Sequence, residues 1–141
     1  MKVSTRGEYA LRALIFLAQC STVISIAEIS DKTQVPVKYL EQILLQLKNL
    51  GYVQSKRGLR GGYLLRKSPE QIIIGEVLRQ LEGPLAPMGC VSVTAYDPCP
   101  LEDGCLLKPL WAFIRDTVAR LLEQTTLKDL LEGQIPSVEG A

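Results

Sequence analysis

Between residues 52 and 65 the chain changes its period. Upstream, apolar residues recur every three or four positions. Then two short aromatic and aliphatic runs, Tyr52-Val53-Gln54-Ser55 and Tyr63-Leu64-Leu65, flank Lys56-Arg57-Gly58-Leu59-Arg60-Gly61-Gly62. A Gly-rich turn between two such runs is a β-hairpin signal. A hairpin placed after three helices leaves few folds open, and the outline it fits is a winged helix-turn-helix.

The helices are read from their stripes and starts. Thr5-Arg6-Gly7-Glu8 has capping-box spacing, with Thr5 as N-cap and Glu8 at the third helical position. Leu11, Leu14, Ile15, Leu17 and Ala18 continue it as a helical stripe, predicting a helix to about Gln19. Ser25-Ile26-Ala27-Glu28 repeats the box and opens a short second helix to about Lys32. Val35-Pro36 begins the third, with apolar face Leu40, Ile43, Leu44 and Leu47, and Gly51 ends it. After the hairpin, Ser68-Pro69 caps a turn, and residues 72–81 read as an extended piece followed by a helix ending at Gly83.

Charge separates this outline from other small α+β modules. The chain is nearly neutral, with 16 Lys+Arg and 15 Asp+Glu. Residues 36–67 nevertheless hold Lys38, Lys48, Lys56, Arg57, Arg60, Arg66 and Lys67 against one acid, Glu41. That basic block coincides with the third helix and the hairpin, the two elements a winged helix lays on DNA. No stretch reaches the length of a membrane span, and charges interrupt any apolar core at the N-terminus, so a cytoplasmic protein without membrane contact is expected.

Residues 83–108 differ in character. Pro84, Pro87, Pro98 and Pro100 fall here with Gly83, Gly89 and Gly104, and so do three of the four Cys, namely Cys90, Cys99 and Cys105. A loop this long inside a small chain is usually functional. The chain has no His, which excludes imidazole bases, His-based triads and zinc sites of the usual Cys/His kind. Three thiolates instead suit an iron–sulfur cluster with a fourth ligand from elsewhere, and Asp97, Glu102 and Asp103 lie nearby. Cys20 ends an apolar helix face and reads as a buried small hydrophobe. From Pro109 a helix resumes to about residue 125. Leu107, Trp111, Ile114, Val118 and Leu121 form a 4-3-4-3 seam widened by Leu110 and Leu122. The seam predicts a homodimer, which would present two reading helices to a palindromic site. Thr126 restarts a short helix to Glu132.

Three runs of residues carry a family resemblance: Arg6-Gly7-Glu8-Tyr9-Ala10-Leu11-Arg12, Tyr39-Leu40-Glu41-Gln42-Ile43-Leu44, and the wing Lys56–Tyr63. With Ile74-Gly75-Glu76-Val77-Leu78 and the three-Cys loop, they resemble the bacterial winged-helix transcriptional regulators of the Rrf2 family, which includes IscR, NsrR and CymR. The match spans roughly residues 1–132. It implies a dimeric cytoplasmic regulator, usually a repressor, and in cluster-binding members a cluster (2Fe–2S or 4Fe–4S) held by the three loop Cys. Members that use a fourth ligand just after the third Cys place a His where this chain has Lys108. Others use an acidic residue at the start of the first helix, donated by the partner subunit, and Glu8 matches that place. Glu8 has a competing role in the capping box with Thr5. Cluster-free members imply the alternative of thiol or disulfide sensing.

The expected architecture is therefore mainly α (α+β). A winged domain spans 1–82, a sensor loop 83–108, a dimerisation helix with a short terminal helix 109–133, and a tail 134–141. In the reading helix, Lys38, Tyr39, Glu41 and Gln42 occupy the first turns; Gln42 suits adenine, and Glu41 either accepts from cytosine N4 or pairs with Lys38. On the wing, Lys56, Arg57, Arg60, Gly61 and Gly62 complete the DNA-facing set. Arg57 and Arg60 suit phosphate or minor-groove contact, and the glycines permit the turn and a close backbone approach. The competing classes are an iron–sulfur redox carrier and a winged helix that binds protein. No enzyme constellation is present.

Overall fold

A computed structural model describes residues 3–135; the remainder of the expected tail, from Pro136, lies outside them. The order is α1 (Thr5–Ala18), α2 (Ile26–Thr33), α3 (Val37–Asn49), β1 (Val53–Lys56), β2 (Gly62–Leu65), α4 (Ile74–Glu82), α5 (Lys108–Glu123) and α6 (Leu127–Glu132). Single 3-10 turns lie at Pro69–Gln71 and Gly89–Val91. The mixed α+β class is the one expected. No helix among the described residues is long and apolar enough to cross a membrane.

The stripes of α1, α2 and α3 meet in one core. Leu14, Leu17, Ile29, Leu40, Leu44 and Leu47 are fully buried there. The turn between α2 and α3 is short because Gln34 takes the left-handed conformation (φ 57°) that ends α2. Buried Val35 then plugs the corner, and Pro36 sets the extended entry to α3. Arg12 ties α1 to this corner by donating from Nη1 to the Thr33 carbonyl at 3.3 Å.

β1 and β2 pair antiparallel, with Val53 opposite Leu65 and Lys56 opposite Gly62. Reciprocal backbone bonds between Ile24 and Tyr63, at 2.9 and 2.8 Å, fasten the hairpin to the α1–α2 connection. Gly62 makes that approach possible, because a Cβ there would stand 2.1 Å from the Ile24 carbonyl oxygen.

The start of α1 differs from its expected register by one residue. Ser4, not Thr5, is the N-cap, its hydroxyl accepting from the Gly7 N–H at 3.1 Å. Glu82, at the end of α4, decides this by accepting from both the N–H and the hydroxyl of Ser4 at 2.7 and 2.8 Å. A Cβ on Gly7 would collide with that carboxylate at 2.0 Å. Ser25 caps α2 as expected, accepting from the Glu28 N–H at 3.2 Å.

After α5 the chain returns to the winged domain. Gly75 lets the end of α5 cross α4 closely, with Glu123 N only 3.0 Å from where a Cβ would be. Arg79 pairs with Glu123 at 2.6 Å. Backbone bonds from Leu127 to Ile72 (2.8 Å) and from Ile74 to Thr125 (2.9 Å) then dock α6, and Leu127 is fully buried in the common core.

Candidate nucleic-acid interface and cysteine loop

Burial of Leu40, Ile43, Leu44 and Leu47 sets the rotation of α3 about its axis. The opposite face presents Lys38, Tyr39, Glu41, Gln42 and Lys48 to solvent. Lys38 Nζ lies 4.9 Å from the centroid of the Tyr39 ring rather than on Glu41. The alternative Lys38–Glu41 pair is not formed, and Glu41 carries no ion pair among the described residues.

Packing of α1 on α3 adds a contribution that the sequence reading missed. Thr5, Arg6 and Tyr9 line one groove with Tyr39, Gln42 and Ile43, about 430 Å³ in volume. Arg6 lies far outside the basic block in sequence. Its only early signal is a positive charge at the start of an amphipathic helix, which is too common to single out.

The wing follows α3, against which β1 packs. Gly58 adopts a left-handed φ of 111°, and the Gly61 N–H donates to the Gly58 carbonyl at 3.0 Å to close the tip. A Cβ on Gly61 would meet the Lys56 carbonyl oxygen at 2.4 Å, so the tight turn requires glycine there. Lys56, Arg57 and Arg60 are exposed and carry no ion pair among the described residues. Ser25 and Ile26 at the start of α2 share a cleft of about 440 Å³ with Lys56, Arg57 and Gly58.

The cysteine loop is held by its own polar contacts. Cys90 sits half-buried in the Gly89–Val91 turn, Cys99 is exposed, and Cys105 is half-buried. Asp97 crosses Gly89 so closely that a Cβ on the glycine would be 2.7 Å from the Asp97 Cβ, and the Asp97 N–H donates to the Gly89 carbonyl at 3.0 Å. Glu102 accepts from the Lys108 ammonium and from the Tyr96 hydroxyl. Those two bonds, the ammonium's first, hold its carboxyl below the usual carboxylate range. The carboxylate in turn raises the Tyr96 phenol and the Lys108 ammonium above their ordinary values. Cys20 packs half-buried against the core rather than fully inside it. Burial, and then the charge of Glu28, pushes its thiol up.

These contacts bear on the expected ligand set. Among the described residues no three Cys, Asp or Glu side chains are grouped so as to hold a metal ion, so Cys90, Cys99 and Cys105 are not brought to one point. Glu102 is committed to Lys108 and Tyr96. Glu8, displaced from the capping box by Ser4, pairs with Arg12 at 2.8 Å. As arranged in one chain, these donors do not fit an iron–sulfur cluster.

Lys108 opens α5, which is 16 residues long and has no fully buried residue. α4 and the Gly89–Val91 turn cover one flank. Trp111, Ile114, Val118 and Leu121 of the expected seam are thereby half-buried, whereas its first member Leu107, the widening Leu110, and Leu106 and Phe113 beside it remain exposed.

Comparison with known proteins agrees with this architecture. The Rrf2 family, described as "Iron-dependent Transcriptional regulator", matches residues 3–133. The HTH-type transcriptional regulator CymR of Bacillus subtilis is 38% identical, with 92% of this chain and 89% of CymR covered. The HTH-type transcriptional regulator IscR of Escherichia coli is 32% identical, with 95% and 82% covered. The solved structure of CymR, "the Global Cysteine Regulator of B. subtilis", superposes with a TM-score of 0.79 at 36% identity, covering 94% of this chain and 98% of that one. By its matched length, its sequence relatives and its fold, the chain belongs to the Rrf2 family of transcriptional regulators.

Proposed function

We propose that the chain is a homodimeric, sequence-specific repressor acting on duplex DNA in the cytoplasm. In this reading, α3 lies in the major groove, the wing reaches the neighbouring backbone and minor groove, and α5 pairs with its copy. The observation that carries it is the pairing of exposed cations on the two elements: Lys38 on α3 and Lys56, Arg57 and Arg60 on the wing have no acidic partner among the described residues. Such cations are available to phosphate. Gln42 and Glu41 supply base-edge contacts, and Tyr39 supports Lys38. The close approach at Gly61 and Gly62 keeps the hairpin narrow. A redox carrier would have no use for this face, and salt-insensitive partner binding without duplex binding would indicate a protein-docking winged helix.

The test uses a duplex enriched by the chain from a random-sequence pool. Arg57→Ala with Arg60→Ala is expected to weaken binding on all sequences and to lower the slope of log affinity against log salt by about 2. Glu41→Ala is expected to relax base preference instead. An unchanged slope in the double variant removes the wing from the interface.

The input to this regulator is the cysteine loop. The present arrangement favours thiol chemistry at Cys90, Cys99 and Cys105, because the three thiols are not grouped and Glu102, the half-buried oxygen donor beside them, is tied to Lys108. The cluster reading draws on three thiols in one loop and on the iron-dependent description of the family. It requires the loop to regroup those thiols, with Glu8 or another donor from a second copy as fourth ligand. Iron and acid-labile sulfide per chain, measured after oxygen-free purification, separate the two. The thiol reading expects both to be absent while duplex binding persists. Iron and sulfide lost in each of Cys90→Ser, Cys99→Ser and Cys105→Ser, but retained in Cys20→Ser, would establish the cluster.

A further inference from the structure

The tip of the wing carries the most exposed large apolar side chain among the described residues: Leu59, at 109% relative exposure. A lone exposed Leu on a protein surface is ordinary. The setting of this one is not. The Gly61-to-Gly58 bond makes residues 58–61 a closed turn, with Leu59 and Arg60 at its two central positions. Gly58 (φ 111°) has nothing within 4 Å of where a Cβ would stand, and with Leu59 fully exposed the tip projects away from the other described residues. The base is the reverse, clamped by the Ile24–Tyr63 bonds and the close approach at Gly62. The result is a firmly rooted hairpin that holds one apolar side chain outward, with Arg57 and Arg60 on either side.

We propose that Leu59 is a wedge that enters the minor groove of the bound duplex and partly unstacks one base step, so that the chain reads the flexibility of that step. The inference rests on the DNA-binding reading above and adds a specificity element to it. Its chemistry follows from three points. The flanking guanidiniums match the negative potential of a minor groove and would seat the tip there. Apolar side chains inserted from that groove unstack and kink the duplex. Pyrimidine–purine steps yield most easily, so the insertion discriminates sequence at a position where Leu59 makes no hydrogen bond. Charge complementarity also selects the occupant: an apolar pocket on a partner protein would leave both arginines to be matched separately.

The experiment uses the full-length chain and a short duplex that it enriches from a random pool, with the base steps under the wings located by hydroxyl-radical protection. Those steps are replaced in turn by TA, CA, AA and GG, and 2-aminopurine is placed beside them. The unaltered chain is expected to bind the TA and CA duplexes about tenfold more tightly than AA and GG, with a rise in 2-aminopurine fluorescence on binding. Leu59→Ala, a change at a side chain that touches nothing in the fold, is expected to reduce that spread to within about twofold and abolish the rise. Its salt slope should stay unchanged, whereas Arg57→Ala lowers it by about 1. Leu59→Met should retain the step preference. The wedge is overturned if Leu59→Ala keeps the preference and the fluorescence rise, or if the unaltered chain shows neither. Failure to enrich any duplex overturns the DNA-binding reading itself, and the wedge with it.

Discussion

Phe113→Glu is expected to turn the proposed dimer into a folded monomer. Phe113 is 70% exposed within one chain, so its own fold does not depend on it. Leu110 precedes it by three residues on the same helical stripe, at 49% exposure. A dimer formed through this stripe would desolvate the new carboxylate without a partner, at a cost of several kcal/mol. Sedimentation velocity should report the monomer mass, and circular dichroism should report unchanged helix. Losing the link between two reading heads should also weaken operator affinity, by about 10²-fold or more. A Phe113→Glu chain that sediments as a dimer would place the interface elsewhere. Ile114→Glu and Val118→Glu test the neighbouring expected seam less cleanly, because both residues are half-buried in their own chain and a charge there also strains the fold.

Leu127→Ala is expected to lose about 2–5 kcal/mol of folding stability. Leu127 is fully buried although it lies near the end of the described chain, in a helix of only 6 residues. The backbone bonds that dock α6 on residues 72–74 keep the cavity from closing by a simple shift of the helix. Against a typical total of about 5–15 kcal/mol, such a loss is large enough to lower the thermal midpoint by many degrees. Denaturant unfolding followed by circular dichroism measures it. A loss below about 1 kcal/mol would mean that α6 is an appendage rather than part of the core.

Much of the half proposed to face DNA is legible from residues alone because its rules are local. Leu40, Ile43, Leu44 and Leu47 at 3.6-residue spacing dictate which side of α3 is buried. Exposure of Lys38, Tyr39, Glu41 and Gln42 then follows without knowledge of the rest of the fold. The hairpin is legible for the same reason, since Gly58, Gly61 and Gly62 mark a turn that few other residues can make. The cysteine loop is the opposite case. Spacing shows that Cys90, Cys99 and Cys105 share a loop, but a Pro- and Gly-rich segment has no repeating geometry to convert spacing into distance. Whether its thiols meet depends on contacts such as Gly89 with Asp97 and Glu102 with Lys108.

By itself, then, the sequence determined the three helices, the winged hairpin, the basic face and the family, because period, turn chemistry and charge act over a few residues. Tertiary structure alone decided the rest. It moved the α1 cap from Thr5 to Ser4, because Glu82 reaches Ser4 across 78 residues of chain. It freed Glu8 to pair with Arg12, set Arg6 and Tyr9 beside α3, and returned Leu127 to the core of the winged domain. Each of these except the Glu8–Arg12 pair, which spans one helical turn once Ser4 has taken the cap, is a partnership between residues distant in sequence. The hydrogen bond or buried contact that rewards it exists only once the core has brought the two together, and no local pattern records it.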